Sequence, residues 1–405
     1  MRRRKFLTAA GLAMGSMLVP VGTNSWVVKQ AHASSRKRLV VVFLRGAVDG
    51  LNVVVPHQAA EYYEARPTIA VPYPKEKNGA IDLDGYFGLH PKLKDIMPLW
   101  NRQQLAFVHA SGSPVLERSH FQAQQYLENG TPGNKKTEDG WMNRLFAQLP
   151  KDIPTQAVNV GITTPYIFKG EMTVASLKPG MHSAAPLPTD RLPVREAFSQ
   201  LYSGSDPLSK AYQEGSEARD VVLAELNKEM MTASKGAKNV HAFVDDAADV
   251  AQLMVGDTKT QLAFMEISGW DSHLNQNNLL DRLLPSLGEG LAILTSGLEP
   301  IFNDTVIVVM SEFGRTFEEN GNKGTDHGYG NVMWLLGGGI KGGNVYGNWL
   351  GLSPSALHKN RDLPVTTDFR DIFAPVITQH LSIPSDRLKQ VFPNYQPLNQ
   401  IDFLA

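Results

Sequence analysis

The chain has 405 residues, a formal net charge of −1 and no cysteine. The lack of cysteine excludes disulfide bonds, thiolate metal sites and cysteine nucleophiles. The first 33 residues carry five basic side chains and no acidic one, so the remainder has a formal charge of −6, which argues against a nucleic-acid partner. Beyond this segment no apolar run approaches the ~20 residues of a stable membrane span.

The N-terminal segment has the features of a twin-arginine export signal in the expected order. Arg3 and Arg4 precede a short apolar stretch that ends near Val21, and residues 31–33 (Ala-His-Ala) form a small-residue cleavage pattern. A basic amphipathic first helix is the alternative. We expect residues 1–33 to engage the twin-arginine export machinery. Residues 34–405 then form one α/β domain that is periplasmic or secreted.

Short β-branched apolar runs alternate with helical patterns along the rest of the chain. In chain order we predict a strand at Leu39–Leu44, an exposed loop at Val71–Asp84, a helix at Pro91–Arg102, a strand at Leu105–His109, a helix at His241–Val255, a strand at Gln261–Ile267, a helix at Leu279–Leu298 with a kink or restart at Pro285, strands at Thr305–Met310 and Val332–Leu336, and a helix at Asp368–Leu381. This alternation predicts an α/β fold with a mostly parallel sheet and helices on both faces. The proline-rich residues 170–239 are interpreted as an insertion or cap beside the sheet.

Polar side chains follow the predicted strands, where functional groups collect in parallel sheets. The candidates are Asp49 after the first strand, Arg118, Ser119 and His120 after the second, Asp271 and His273 after the third, Glu312 after the fourth, and Asp326 and His327 shortly beyond. Carboxylate and imidazole groups together suit zinc or manganese. Asp271 and His273 could supply two ligands from one loop and the Asp326–His327 pair a third, while Asp49 and Glu312 could form a second cluster.

Each candidate also has a plain structural explanation. Asp49 precedes Gly50 and can belong to a turn, and Glu312 can pair with Arg315. The coincidence of so many such residues after buried strands is what favours a polar site.

Seven motifs in order give the chain a specific resemblance to the DUF1501 family: RGAVDGLN, LHPKLKDIMPLW, RSHFQAQQYLENG, DGWMNRL, GWDSH, SEFGRT and GTDHGYGN. The resemblance implies an alkaline phosphatase-like or sulfatase-like fold with two adjacent metal sites. It implies that Asp49 and Glu312 bind the second metal, while Asp271, His273 and His327 bind the first. Phe313 stands where that superfamily has a second-site histidine, so one divalent ion is favoured over two.

The resemblance also bears on the catalytic residues. If His120 is the histidine that follows the nucleophile by four residues, the nucleophile position falls on Leu116, which cannot attack. Ser119 or a metal-activated water could attack instead, and Arg118, like Arg45 or Arg315, could orient an anionic oxygen.

Three functions remain open from the sequence. The first is a secreted metal-dependent hydrolase of small phosphate or sulfate esters. The alternative is a non-catalytic secreted binding or assembly protein that reuses the fold, and the third is a phosphomutase-like transfer beneath the predicted cap.

Overall fold

The computed structural model describes residues 36–150, 156–161, 163–177, 192–217, 220, 242–257 and 259–405. The predicted export signal and much of the predicted cap lie outside these residues. The strands are β1 Arg38–Arg45, β2 Val54–Val55, β3 Ile81–Asp82, β4 Gly88–Leu89, β5 Leu105–Gly112, β6 Ala157–Val160, β7 Ala175–Leu177, β8 Leu262–Ser268, β9 Thr305–Ser311, β10 Asn331–Gly337, β11 Asn344–Tyr346 and β12 Thr367–Asp368.

The helices lie mainly between these strands. They are α1 Gly50–Val53, α2 Ala60–Ala65, α3 Met97–Asn101, α4 His120–Asn129, α5 Trp141–Phe146, α6 Leu192–Leu201, α7 (207–217), α8 Ala242–Gly256, α9 Gln276–Gly297, α10 Phe369–Pro375 and α11 Leu388–Val391. Short 3-10 helices occupy Pro91–Ile96, Tyr166–Phe168, Glu299–Asp304 and Ser385–Arg387, and a π-helical turn occupies Val376–His380.

The main sheet has the strand order β11-β5-β10-β9-β1-β8-β6-β7, and β12 pairs with β5. Its central strand, β1, is parallel to both β8 and β9. Side chains alternate along β1, so that Val40 and Val42 enter one core with Leu284 of α9, while Val41 and Phe43 enter a second core with Phe373 of α10. The predicted mostly parallel sheet with helices on both faces is thereby confirmed.

One strand departs from the parallel arrangement in a way that matters for the site. β10 runs antiparallel to both β9 and β5. Residues 312–330 therefore leave the sheet at the carboxyl end of β9 and re-enter it at the same edge. The ends of β1, β8 and β9 also coincide there, because Arg45 pairs with Ser268 and Leu44 pairs with Ser311.

Several boundaries differ from those predicted. The predicted helix at Pro91–Arg102 is a 3-10 helix followed by α3, and that at Asp368–Leu381 becomes α10 and a π-helical turn. α9 continues through Pro285 as one element, so the predicted restart there is wrong. The exposed loop predicted at Val71–Asp84 is also partly wrong, since β3 belongs to a small sheet of order β2-β4-β3.

The region predicted as a cap begins inside the main sheet. Its first described strand, β7, pairs in parallel with β6 at the sheet edge. α6, by contrast, buries none of its residues. Among the residues the structure describes, no helix is long and apolar enough to cross a membrane.

A buried histidine in β5 makes stability sensitive to acid. His109 Nε2 donates to the carbonyl of Val54 at 2.9 Å, and its ring stacks on Phe87. Burial lowers the pKa of His109 to about 4. The unfolded chain takes up this proton near pH 6.5, so the stabilisation is complete above that pH and is lost as the pH falls towards 4.

We expect the His109→Gln variant to have a shallower decline of unfolding free energy between pH 6.5 and 4. The glutamine amide can still donate to Val54 but does not titrate, so the slope should fall by up to about 1.4 kcal/mol per pH unit. Urea unfolding at several pH values measures this slope. Identical slopes for the variant and the parent would contradict the assignment.

Candidate metal centre

The carboxylate of Asp271, in the loop after β8, is surrounded by three imidazoles. Its Oδ1 lies 3.1 Å from His273 Nε2 and 3.4 Å from His327 Nε2, while its Oδ2 lies 3.6 Å from His120 Nε2. Donor atoms of His120, Asp271 and His327 all lie within 4.8 Å of one another. His120 opens α4, and His327 precedes β10. Three separate segments therefore meet at one carboxylate.

Each imidazole uses its other nitrogen to bond an acceptor. His327 Nδ1 lies 2.8 Å from the carbonyl of Arg118, which can only accept. His120 Nδ1 lies 2.8 Å from Glu312 Oε1, and His273 Nδ1 lies 3.1 Å from Asp326 Oδ1. These Nδ1 contacts leave the three Nε2 atoms on the side of Asp271, and a neutral ring whose Nδ1 carries the proton keeps a lone pair on Nε2.

Two features indicate that this arrangement suits a cation. His120 Nε2 is buried and has no hydrogen-bond partner among the described residues. His273 Nε2 and His327 Nε2 lie only 2.9 Å apart, so two lone pairs face each other unless a proton or a metal ion lies between them. Histidines that ligate metals almost always donate their other ring N–H to a carboxylate, a carbonyl or water, which is the arrangement of these three rings.

The carboxylates of the site stay ionised. Burial alone would raise the pKa of Asp271, but the hydrogen bond and charge of Arg315, with His273 and His120, hold that pKa below its usual value. Burial also opposes ionisation of Glu312, and hydrogen bonds from His120, Gln124 and the Gly46 amide outweigh it, so the pKa of Glu312 is lowered.

The imidazoles respond in opposite directions. The hydrogen bond to Glu312 raises the pKa of His120, against the effect of burial. Burial lowers the pKa of His327, which keeps its ring neutral and its Nε2 lone pair available.

The loops are held together by Arg315, whose side chain is fully buried. It donates to Asp271 Oδ1 at 2.6 Å and to the carbonyls of Gly46 at 2.6 Å and Ala47 at 2.7 Å. Gly46 has a φ of +116°, and a Cβ there would lie 2.7 Å from the Asp271 nitrogen, so only glycine permits this approach. Arg315 positions a candidate ligand and, being buried, is not available to orient a substrate.

Asp49 lies in a separate, fully buried network. It accepts from Arg66 Nη1 at 2.6 Å and caps α1 by accepting from the Leu51 amide. Gln276 also donates to Asp49, while its carbonyl oxygen accepts from Thr325 Oγ1 at 2.7 Å. Asp49 therefore supports the loops that carry the candidate ligands, and among the described residues it shares no hydrogen-bond partner with Glu312.

The remaining predicted residues divide between candidate-ligand and supporting positions. Asp271, His273 and His327 come together as predicted, and His120, predicted as catalytic, joins them. Glu312 and Asp326 orient imidazoles rather than facing the centre of the cluster. Phe313 packs against His120 and His327, with its ring centroid 4.9 Å from each.

Arg118 and Ser119 lie directly before α4. Arg118 forms a short ion pair with the fully buried Asp362, which Arg361 also contacts at 2.9 Å. Ser119 is the N-cap residue of α4, but its hydroxyl makes no capping hydrogen bond. The sequence did not single out Arg361, Arg66 or Gln276, because nothing in the local pattern around them indicates what they contact.

The fold and the site define an α/β protein with a mixed, mostly parallel sheet and a histidine–carboxylate cluster at one sheet edge. The chain belongs to the family of unknown function DUF1501, whose model matches residues 36–392. No curated protein matches the chain in sequence.

Several solved structures resemble the chain distantly. Ps i-CgsB in complex with k-i-k-neocarrahexaose is 9% identical, with 87% of this chain and 74% of that chain covered and a TM-score of 0.42. The periplasmic domain of EcEptC from Escherichia coli, in complex with Zn, is 11% identical, with 75% and 73% covered and a TM-score of 0.34. The alkaline phosphatase of the Antarctic bacterium TAB5 is 9% identical, with 89% and 100% covered and a TM-score of 0.33. Likenesses this remote do not bear on the reaction.

The Asp49 network gives a prediction that separates support from metal binding. Asp49→Asn leaves the buried guanidinium of Arg66 without its charged partner, which should lower the unfolding free energy by about 3 kcal/mol. Metal content should not change. Denaturant unfolding and elemental mass spectrometry measure the two quantities.

Asp402→Asn is the matched control, because the Lys341–Asp402 ion pair is exposed and should contribute less than about 1 kcal/mol. If the Asp49→Asn variant lost metal while its unfolding free energy stayed unchanged, Asp49 would be a metal ligand and not a supporting residue.

Proposed function

We propose that this chain is a metal-dependent hydrolase of small anionic esters, of the phosphate or sulfate class, and that it acts in the periplasm or outside the cell after twin-arginine export. The observation that carries the proposal is the convergence of three imidazole Nε2 atoms on the carboxylate of Asp271, with His120 Nε2 buried and without a hydrogen-bond partner among the described residues. Imidazole-rich donors favour zinc, and manganese accepts the same set. A bound divalent ion would polarise the ester and stabilise charge on the leaving oxygen.

Two arginines beside the cluster could bind the anionic part of the ester. Arg118 and Arg361 are each more than one third exposed and share one buried carboxylate, Asp362, so the group keeps a net positive charge beside the cluster. Arg361 also donates to the carbonyl of His327 at 3.2 Å, which places this charge next to a candidate ligand. The two guanidinium groups would bind the anionic oxygens of the ester.

Ser119 is the candidate nucleophile of the chain itself. It directly precedes His120 at the start of α4, and its hydroxyl is not used for capping. The hydroxyl of a serine N-cap ordinarily accepts a hydrogen bond from an amide of the first turn. The Ser119 hydroxyl makes no such bond, so it is available to attack an ester bound next to His120. Water is the alternative nucleophile.

A metal-binding protein without turnover is the second candidate. Phe313 is buried at the place where the resemblance implies another metal ligand, and Leu116 stands exposed at the implied nucleophile position. This candidate predicts bound metal but no hydrolysis of any ester.

The first prediction concerns the metal. The purified protein should contain about one divalent ion per chain, and Asp271→Asn combined with His327→Gln should remove most of it, because two of the converging donors are lost. Elemental mass spectrometry measures the content. His57→Gln, which changes a buried histidine paired with Asp82 in the small-sheet region, is the control and should retain the ion. Absence of metal from the parent after refolding with zinc or manganese would overturn the proposal.

The second prediction concerns the nucleophile. With the metal-loaded protein and an aryl phosphate or sulfate ester as substrate, Ser119→Ala should lower kcat by about a thousandfold or more if the serine attacks. Metal content should remain that of the parent. Unchanged turnover would exclude Ser119 and assign the attack to water, whereas no turnover by the parent on either ester, with metal bound, would favour the binding protein.

A further inference from the structure

Large apolar side chains are exposed beside the candidate metal centre. Phe121 is 87% exposed, Leu274 is 61% exposed and Leu116 is 43% exposed. Single exposed apolar residues are ordinary on protein surfaces. These three, however, come from two separate segments that both lead into the same cluster.

Two of the three are chain neighbours of candidate ligands, and the three residues Leu116, Phe121 and Leu274 are called the apolar rim below. Phe121 directly follows His120, and Leu274 directly follows His273. Both imidazoles contact the carboxylate of Asp271, at 3.6 Å and 3.1 Å. Each of these two apolar residues is therefore one position away from a candidate ligand.

Packing of α4 does not account for Phe121. The apolar residues that the helix buries are Ala123, Tyr126 and Leu127, and it also buries the polar Glu128 and Asn129 near its C-terminal end. At 100° per residue, Phe121 points about 200° away from Ala123, on the side opposite the buried apolar stripe. Phe121 is therefore not part of the buried core of the fold.

An anion-binding group adjoins this apolar rim. Arg118 lies between Leu116 and His120 in the chain, and its side chain is 38% exposed. A ligand reaching the cluster therefore meets positive charge and apolar surface together. This combination suits a molecule with an anionic head and an apolar body.

We propose that the ester acted on by this protein carries an apolar alkyl or aryl group, which binds against Phe121, Leu274 and Leu116 while its anionic head faces the metal centre and Arg118. The inference rests on the proposed function for the identity of the head group. It adds the class of the organic part, which the metal cluster alone leaves undefined.

Binding of non-hydrolysable ligands tests the apolar contact independently of turnover. With the metal-loaded protein, n-octylphosphonate should bind at least about tenfold more tightly than ethylphosphonate by isothermal titration calorimetry, because only the longer chain reaches the apolar rim. In a Phe121→Ser, Leu274→Ser double variant the two affinities should agree within about twofold. Ethylphosphonate affinity and metal content should match those of the parent.

Leu398→Ser is the matched control, since Leu398 is 56% exposed in the C-terminal segment and should leave the preference intact. Equal binding of the two phosphonates to the parent, or a preference that survives in the double variant, would overturn the inference. A change from dimer to monomer in the double variant on gel filtration, with the octyl preference retained, would also overturn it and assign the rim to a second copy of the chain.

Hydrolysis separates this inference from the proposed function. The parent should have a kcat/KM for n-octyl phosphate or sulfate at least about tenfold above that for the ethyl ester, and the double variant should lose this difference. No turnover of any ester, together with tight octylphosphonate binding, would contradict the proposed hydrolase function but support the inference that the ligand carries an apolar group. Turnover of the octyl and ethyl esters with equal kcat/KM would support the hydrolase function and contradict the inference of an apolar group.

Discussion

The site depends on one buried interaction, the contact of Arg315 with Asp271 and the loop carbonyls around it. A fully buried guanidinium is tolerated only when its donors are satisfied, and here they bond one carboxylate and the carbonyls of Gly46, Ala47, Trp270 and Thr325. These acceptors belong to the loops after β1 and β8 and to the segment before β10. A single side chain thus fixes the relative position of three segments and also keeps the central carboxylate ionised.

A second layer of polar contacts surrounds this interaction. Glu312, Asp326 and the Arg118 carbonyl each bond one imidazole, and Asp49 with Gln276 supports the loops from beneath. Phe313 fills the space between two of the rings. Ligand geometry of this kind is set by the outer contacts as much as by the ligands themselves, because each ring has one nitrogen to donate and one to leave free.

Much of the fold was predictable because it follows from local pattern. The apolar runs of β1, β5, β8, β9 and β10 were recognisable since buried strands carry no alternation, and the candidate ligands followed from their place after those strands. The direction of β10 was not predictable, because an apolar run is the same read in either sense. That direction nevertheless brings His327 to the cluster.

The sequence also could not distinguish the residues that face the cluster from those that only support its loops. Asp49 and Asp271 both follow a central strand and both precede a helix, yet one meets Arg66 and the other meets three imidazoles. Arg66 directly follows α2, and no spacing rule connects it to Asp49. Pairings of this kind depend on how loops far apart in the chain cross above the sheet.

The strand order determines how much of the chain must be synthesised before the main sheet can form. β1, made first, pairs with β8 and β9, its Leu39 lying beside Leu262 and Val306. The cluster itself joins residues from α4 to the start of β10. Its ligands therefore meet only after most of the polypeptide has left the ribosome, and long-range pairing of this kind is slow. A divalent ion that binds this cluster would therefore enter a chain whose synthesis is nearly complete, and not a partly made one.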